Sequence, residues 1–89
     1  MYLHLGQDTV INYDEILGIF DLEATTVSKA TRDYLANATK SGRVVNVSFD
    51  LPKSFVVCRD KLGGTTVYIS PISPSTLLKR SRNGLTGIK

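Results

Sequence analysis

Along the pattern of apolar and polar positions, three β-rich runs stand out in the second half of the chain, Val44–Phe49, Lys53–Cys58 and Thr65–Ile69. Each run is dense in Val, Ile, Phe, Tyr and Thr. Each is bounded by turn-forming residues: Asp50-Leu51-Pro52 after the first and Asp60-Lys61-Leu62-Gly63-Gly64 after the second, the sequence signal of β-strands. The spacing predicts a three-stranded antiparallel meander. Three more strand runs precede it. Tyr2–Leu5 and Thr9–Tyr13 predict a hairpin about Gly6-Gln7-Asp8, with Leu3 and Leu5 on one face and Tyr2 and His4 on the other. After a tight connection at Asp14-Glu15, Ile16–Phe20 is apolar on both faces, as in a central strand. Gly18 inside that run marks a bulge or a close neighbour.

Two stretches change to helical periodicity. Val27, Ala30, Thr31, Tyr34, Leu35 and Ala38 recur at three- and four-residue steps and draw one apolar stripe, thin in large side chains. Thr25 or Thr26 is the expected N-cap, and Gly42 the left-handed terminator. A shorter helix starts with Ser73 as N-cap and Pro74 at the first helical position, where the missing N–H costs nothing. Ile72 and Leu77 flank that start as a hydrophobic staple. Lys79, Arg80 and Arg82 are read as its last turn, Asn83-Gly84 as its stop, and Leu85–Lys89 as a flexible tail. The predicted fold is α+β in the order β-β-β-α-β-β-β-α, one domain over residues 1–84 with a tail over 85–89.

Length and charge add a second theme. A domain of 89 residues buries about 60–65% of its extended surface, which gives modest stability and makes self-association a natural support. The first 26 residues carry five acids and no Lys or Arg, net −5, whereas all eleven basic residues lie from Val27 onward against three acids, net +8. Opposite charge on two flanks suits an anionic partner or a head-to-tail contact between copies. For such a contact the chain offers Asp14, Glu15 and Asp21, with Asp8 and Glu23, against Arg32, Arg43, Arg59 and Lys61, with apolar help from Ile16 or Leu62. A single cysteine excludes an internal disulfide. No apolar run approaches the ~20 residues of a membrane span. The start Met1–Gly6 lacks the pattern of a secretion signal, so a cytoplasmic location is expected.

Catalytic and metal chemistry finds no constellation. His4 is the only histidine and sits on a strand pattern. Asp14 and Glu15 as neighbours on an extended chain point to opposite faces and make no acid–base pair. Gly63-Gly64 lacks the Lys-Ser/Thr of a phosphate loop, and Cys58 reads as a small core hydrophobe. No enzyme activity, cofactor or metal is expected. The basic residues carry more. Lys53 enters a strand, Lys79, Arg80 and Arg82 close the second helix, and no acid follows Asp60, which is the kind of uncovered positive charge that contacts phosphate. Phe49, Phe55 and Tyr68 are read as sheet core, not as a base-stacking ladder.

Pro52-Lys53-Ser54-Phe55-Val56-Val57, followed by Val67-Tyr68-Ile69-Ser70-Pro71-Ile72-Ser73 with Thr76-Leu77 and Arg80, resembles the bacterial RemA/RemB family of extracellular-matrix regulators in biofilm formation. Tyr2-Leu3-His4-Leu5-Gly6 and Gly18-Ile19-Phe20-Asp21-Leu22 agree with it as well. The likeness runs from Tyr2 to Arg80 and lies nearer the RemB branch. It implies a small cytoplasmic α+β protein and, for the RemA branch, ring-like homo-oligomers that bind DNA around the outside and activate transcription. RemA-like members carry cations where this chain has Glu15, Asp50 and Leu51, and Lys53 alone keeps a basic position there. The expectation is a non-enzymatic regulator that acts as a homo-oligomer and contacts duplex DNA through Lys53, Lys79, Arg80 and Arg82. The alternative is an oligomeric adaptor for a protein partner, such as a RemA-like relative.

Overall fold

The computed structural model of the chain describes residues 2–23 and 28–87, with side chains through Ser81. Two strands, β1 (Tyr2–Gly6) and β2 (Thr9–Asn12), form an antiparallel hairpin. Its two-residue turn needs Gly6 at φ 122° and Gln7 at φ 47°, the left-handed region in which glycine is unstrained. A 3-10 turn, Tyr13–Glu15, leads to β3 (Ile16–Asp21). Helix α1 (Lys29–Lys40) follows, then β4 (Val44–Asn46), β5 (Ser54–Arg59), β6 (Thr65–Ser70) and α2 (Pro74–Gly87). The order matches the sequence pattern, and the class is α+β.

The pairing differs from that pattern. β3, β5, β6 and β4 form one four-stranded sheet in that order. β5 pairs antiparallel with both β3 and β6, but β4 pairs with β6 in parallel. The expected meander is therefore a single hairpin, β5–β6, with β4 added on its far side. β4 ends at Asn46, and the chain crosses the end of β6 before it starts β5: Val47 N–H donates to Ile69 O at 3.0 Å and Lys53 N–H to Ser70 O at 2.9 Å. Pro52 has no N–H for a ladder, which favours its place in this crossing over a place in a strand. Phe49, expected in the core, rides on the crossing and is fully exposed. β3, expected to be central, is an edge strand; both its faces are covered in part by other layers, which explains its apolar pattern without a second neighbour.

Both sheet faces are covered. On one, Phe55, Val57 and Val67 meet Ala38, with Leu22, Leu35, Val44 and Ile69 packed around them. On the other, Val56 and Cys58 meet Leu3, Leu5, Ile11, Val47 and Leu77, supported by Ile16, Ile19, Tyr68 and Ile72. β5 lies between the layers, and its first five residues are all buried. Gly18 sits at the bulge of β3, where a Cβ would come 2.7 Å from the Phe20 ring. That ring stacks on Phe55 with centroids 4.8 Å apart.

The helix ends correct the sequence reading in detail. Ser28, not Thr25 or Thr26, is the N-cap of α1; its hydroxyl accepts from Thr31 N–H. Thr25, Thr26 and Val27 lie outside the described residues. Gly42 ends α1 at φ 70°, as expected. Ser73 caps α2 through Thr76 N–H at 3.3 Å. The helix continues through Gly87, past Asn83-Gly84, so Lys79, Arg80 and Arg82 sit along its middle and not in its last turn.

Candidate functional site: cations of the α2 end and a shared charged cavity

The four residues expected to meet DNA do not form one cluster of contacts. Lys53 closes the crossing loop, where its backbone is pinned on both sides: its N–H donates to Ser70 O, and its carbonyl accepts from Leu22 N–H. That leaves the ammonium group free to swing, with Glu23 at 3.9 Å and both side chains about half exposed. Exposed pairs of this kind contribute only ~0–1 kcal/mol, so Lys53 remains available. Lys79 and Arg80 are exposed on α2. Arg80 is aimed by the fold, since its Nη1 donates to the His4 carbonyl of β1 at 3.3 Å. Arg82 lies on the same helix, and its side chain is outside the described set. Lys53 and the start of α2 share one end of the sheet, because Ser54 pairs with Ser70 and donates its hydroxyl to Ile72 O at 2.7 Å.

The residues expected at an assembly contact are brought partly together within a single chain. Glu15, Arg59, Asp60 and Lys61 line one cavity of about 370 Å³, together with Tyr2, Asn12, Cys58 and Tyr68. Asp14 and Glu15 occupy one 3-10 turn and not an extended segment, which sends Asp14 outward and Glu15 toward the cavity. Asn12 makes that turn by accepting from Asp14 N–H at 3.0 Å. On the other wall, the Asp60 carboxylate is spent on its own turn, accepting from Leu62 and Gly64 N–H at 2.8 and 2.9 Å. Burial, and then the Glu15 carboxylate, push the Cys58 thiol up to about 11. Burial, with Cys58 and Glu15, raises the Tyr68 phenol in the same direction. Cys58 is buried, as its alternation with Val56 indicated.

The remaining charges stay apart from this cavity. Asp21 turns the end of β3 by accepting from Glu23 N–H. Arg43, half-buried before β4, donates to the Thr65 hydroxyl at 2.6 Å. Arg32 is exposed on α1, and Leu62 is almost fully exposed at the β5–β6 turn. The sequence reading missed the grouping of Glu15 with Arg59 and Lys61. No local signal reports it, because the 3-10 turn reaches β5 only through the pairing of β3 with β5, and β2 reaches it only by the packing of the hairpin on the larger sheet. Among the described residues no three His, Cys, Asp or Glu side chains converge to hold a metal ion. No helix among them is long and apolar enough to cross a membrane.

The class these features define is a small mixed-sheet α+β domain with exposed cations on the crossing loop and on α2, besides those of α1 and the β5–β6 turn. The sequence profile of the RemA-like family, described as extracellular matrix regulatory protein A-like, matches residues 2–80. The chain belongs to that family. It is similar to extracellular matrix regulatory protein B of Bacillus subtilis (strain 168), with 38% identity over 82 residues that cover 92% of this chain and 91% of that protein.

Proposed function

We propose that this chain is a non-enzymatic DNA-binding regulator of extracellular-matrix and biofilm genes that acts as a homo-oligomer. The observation that carries the reading is the family match over residues 2–80, which takes in both sheets and half of α2. The placement of cations supports it. Lys53, Lys79 and Arg80 are all exposed, and Lys53 alone has a carboxylate partner, a loose one. Arg82 follows on the same helix. Contacts from such groups go to phosphate, so they set affinity and carry little sequence information.

A labelled duplex titrated by fluorescence anisotropy at several salt concentrations tests this reading. Binding should weaken steeply with salt, and Lys53→Ala and Arg80→Ala should each lower affinity and flatten the salt slope by about one. A duplex that does not bind at low salt would sink the DNA reading. The second reading, an oligomeric adaptor for a protein partner such as a RemA-like relative, is favoured by Phe49 and Leu51, which expose apolar surface beside Asp50 where RemA-like members carry cations.

A further inference from the structure

The cavity of about 370 Å³ that Glu15 shares with Arg59 and Lys61 is framed by two fixed turns. One is the 3-10 turn that carries Glu15, held by the Asn12 cap and by Ile16 N–H donating to Tyr13 O. The other is the β5–β6 turn that carries Lys61, held by the bonds Asp60 accepts from Leu62 and Gly64 N–H. Each turn is fixed by the chain's own bonds, so the space between them is pre-formed. Its volume falls near the lower end of the ~300–1,000 Å³ typical of small-molecule sites.

The polar groups around this space are not spent on one another. The ion pairs among the described residues are Lys29–Asp33 and Lys53–Glu23, so Glu15 pairs with neither Arg59 nor Lys61. The Asp60 carboxylate, the other acid of the lining, is taken up by its own turn. No side-chain hydrogen bond within the chain engages Glu15, Arg59, Lys61, or the hydroxyls of Thr66 and Tyr68.

The charges are also sorted by depth. Glu15 is half-buried, whereas Arg59 and Lys61 are exposed. After burial, the Glu15 charge is what raises the Cys58 thiol, and behind burial and Cys58 it raises the Tyr68 phenol. A carboxylate therefore reaches the floor, and two cations stand at the mouth. Two acids and two bases leave the lining formally neutral. A polycation would meet Arg59 and Lys61, and a polyanion would meet Glu15. A ligand with one charge of each sign satisfies both ends, and the rings of Tyr2 and Tyr68 in the lining suit its ammonium group.

We propose that this cavity binds a compact zwitterion of the amino-acid class, with its ammonium group on Glu15 and its carboxylate on Arg59 and Lys61. The Thr66 and Tyr68 hydroxyls are further partners. The site uses none of the cations assigned to DNA, so it stands or falls apart from that reading.

Saturation-transfer NMR on the full chain tests it, with the twenty common amino acids in pools and with spermidine and inorganic phosphate as probes of single sign. At least one amino acid should bind saturably, and neither spermidine nor phosphate should displace it. The N-acetyl form of that amino acid, which lacks the ammonium charge, and its amide, which lacks the carboxylate, should both fail to bind. Glu15→Gln, and separately Arg59→Ala with Lys61→Ala, should each weaken binding about tenfold or more, the loss expected for a charge-assisted bond. Lys53→Ala, outside the cavity, should leave it unchanged, and circular dichroism checks that every variant folds. If no amino acid receives saturation, the proposal is overturned. Tight binding of the acetylated form or the amide, displacement by spermidine or phosphate, or affinity that both cavity variants leave intact would overturn it equally.

Discussion

Ser70 shows how one residue ties the layers together. Its hydroxyl is fully buried, donates to the Leu5 carbonyl of the hairpin at 2.7 Å and accepts from Ile72 N–H at 3.1 Å. Ser70→Ala leaves a buried carbonyl without its donor, which costs about 1–3 kcal/mol. The expected result in urea is a lower midpoint with an unchanged m-value. Cys58 gives a pH signature. Its folded value of about 11 lies above the ordinary 9.0, so the fold holds the neutral thiol. That contribution is complete below pH 9 and is lost as pH rises through about 11. A disulfide reagent at pH 8 should therefore react slowly with the native protein and rapidly in denaturant. Glu15→Gln removes the second cause of the shift and should speed the native reaction.

At the scale of elements, α2 owes its place to packing more than to its start signals. Leu77 is fully buried among Leu3, Leu5 and Val56. Leu77→Ala should cost about 2–5 kcal/mol, whereas Ser73→Ala, which deletes the N-cap, should cost about 1 kcal/mol. Thermal melts of both variants check the order; an equal loss would mean that capping, not the hairpin contact, holds the helix. These start signals were legible because N-caps, Pro at the first turn and staples act within one turn of chain. The helix's end was not, since Asn83-Gly84 is a local preference that the continued helix overrides. β4 and β3 went astray for a related reason. Alternation states that a residue run is a strand with given faces, but it is silent on which strand lies beside it.

For the whole molecule, the sequence's division into an acidic first third and a basic remainder is mixed by the fold around the cavity that joins Glu15 to Arg59 and Lys61. Glu15 thereby offsets cations of its own chain, and Asp50 places a carboxylate on the exposed crossing loop. If the proposed DNA contact takes in these positions, Glu15→Arg with Asp50→Arg should strengthen duplex binding and steepen its salt dependence, because each change would repeat in every copy of the proposed homo-oligomer. Anisotropy on one duplex reads both quantities. Unchanged affinity and slope would place this surface away from DNA and advance the adaptor reading.

By itself the sequence determined what depends on near neighbours: the order of strands and helices, the Gly6 and Gly42 turns, the Ser73 cap, and the burial of Phe55 and Cys58 in β5. It also contained the family likeness, which rests on the order of residues and not on their contacts. Tertiary structure alone decided the parallel partner of β4, the edge position of β3, the exposure of Phe49 and the meeting of Glu15 with Arg59 and Lys61. Each of these depends on which strands pair across long stretches of chain. Hydrogen bonding and burial across the sheet choose among those pairings, and no local pattern records the choice.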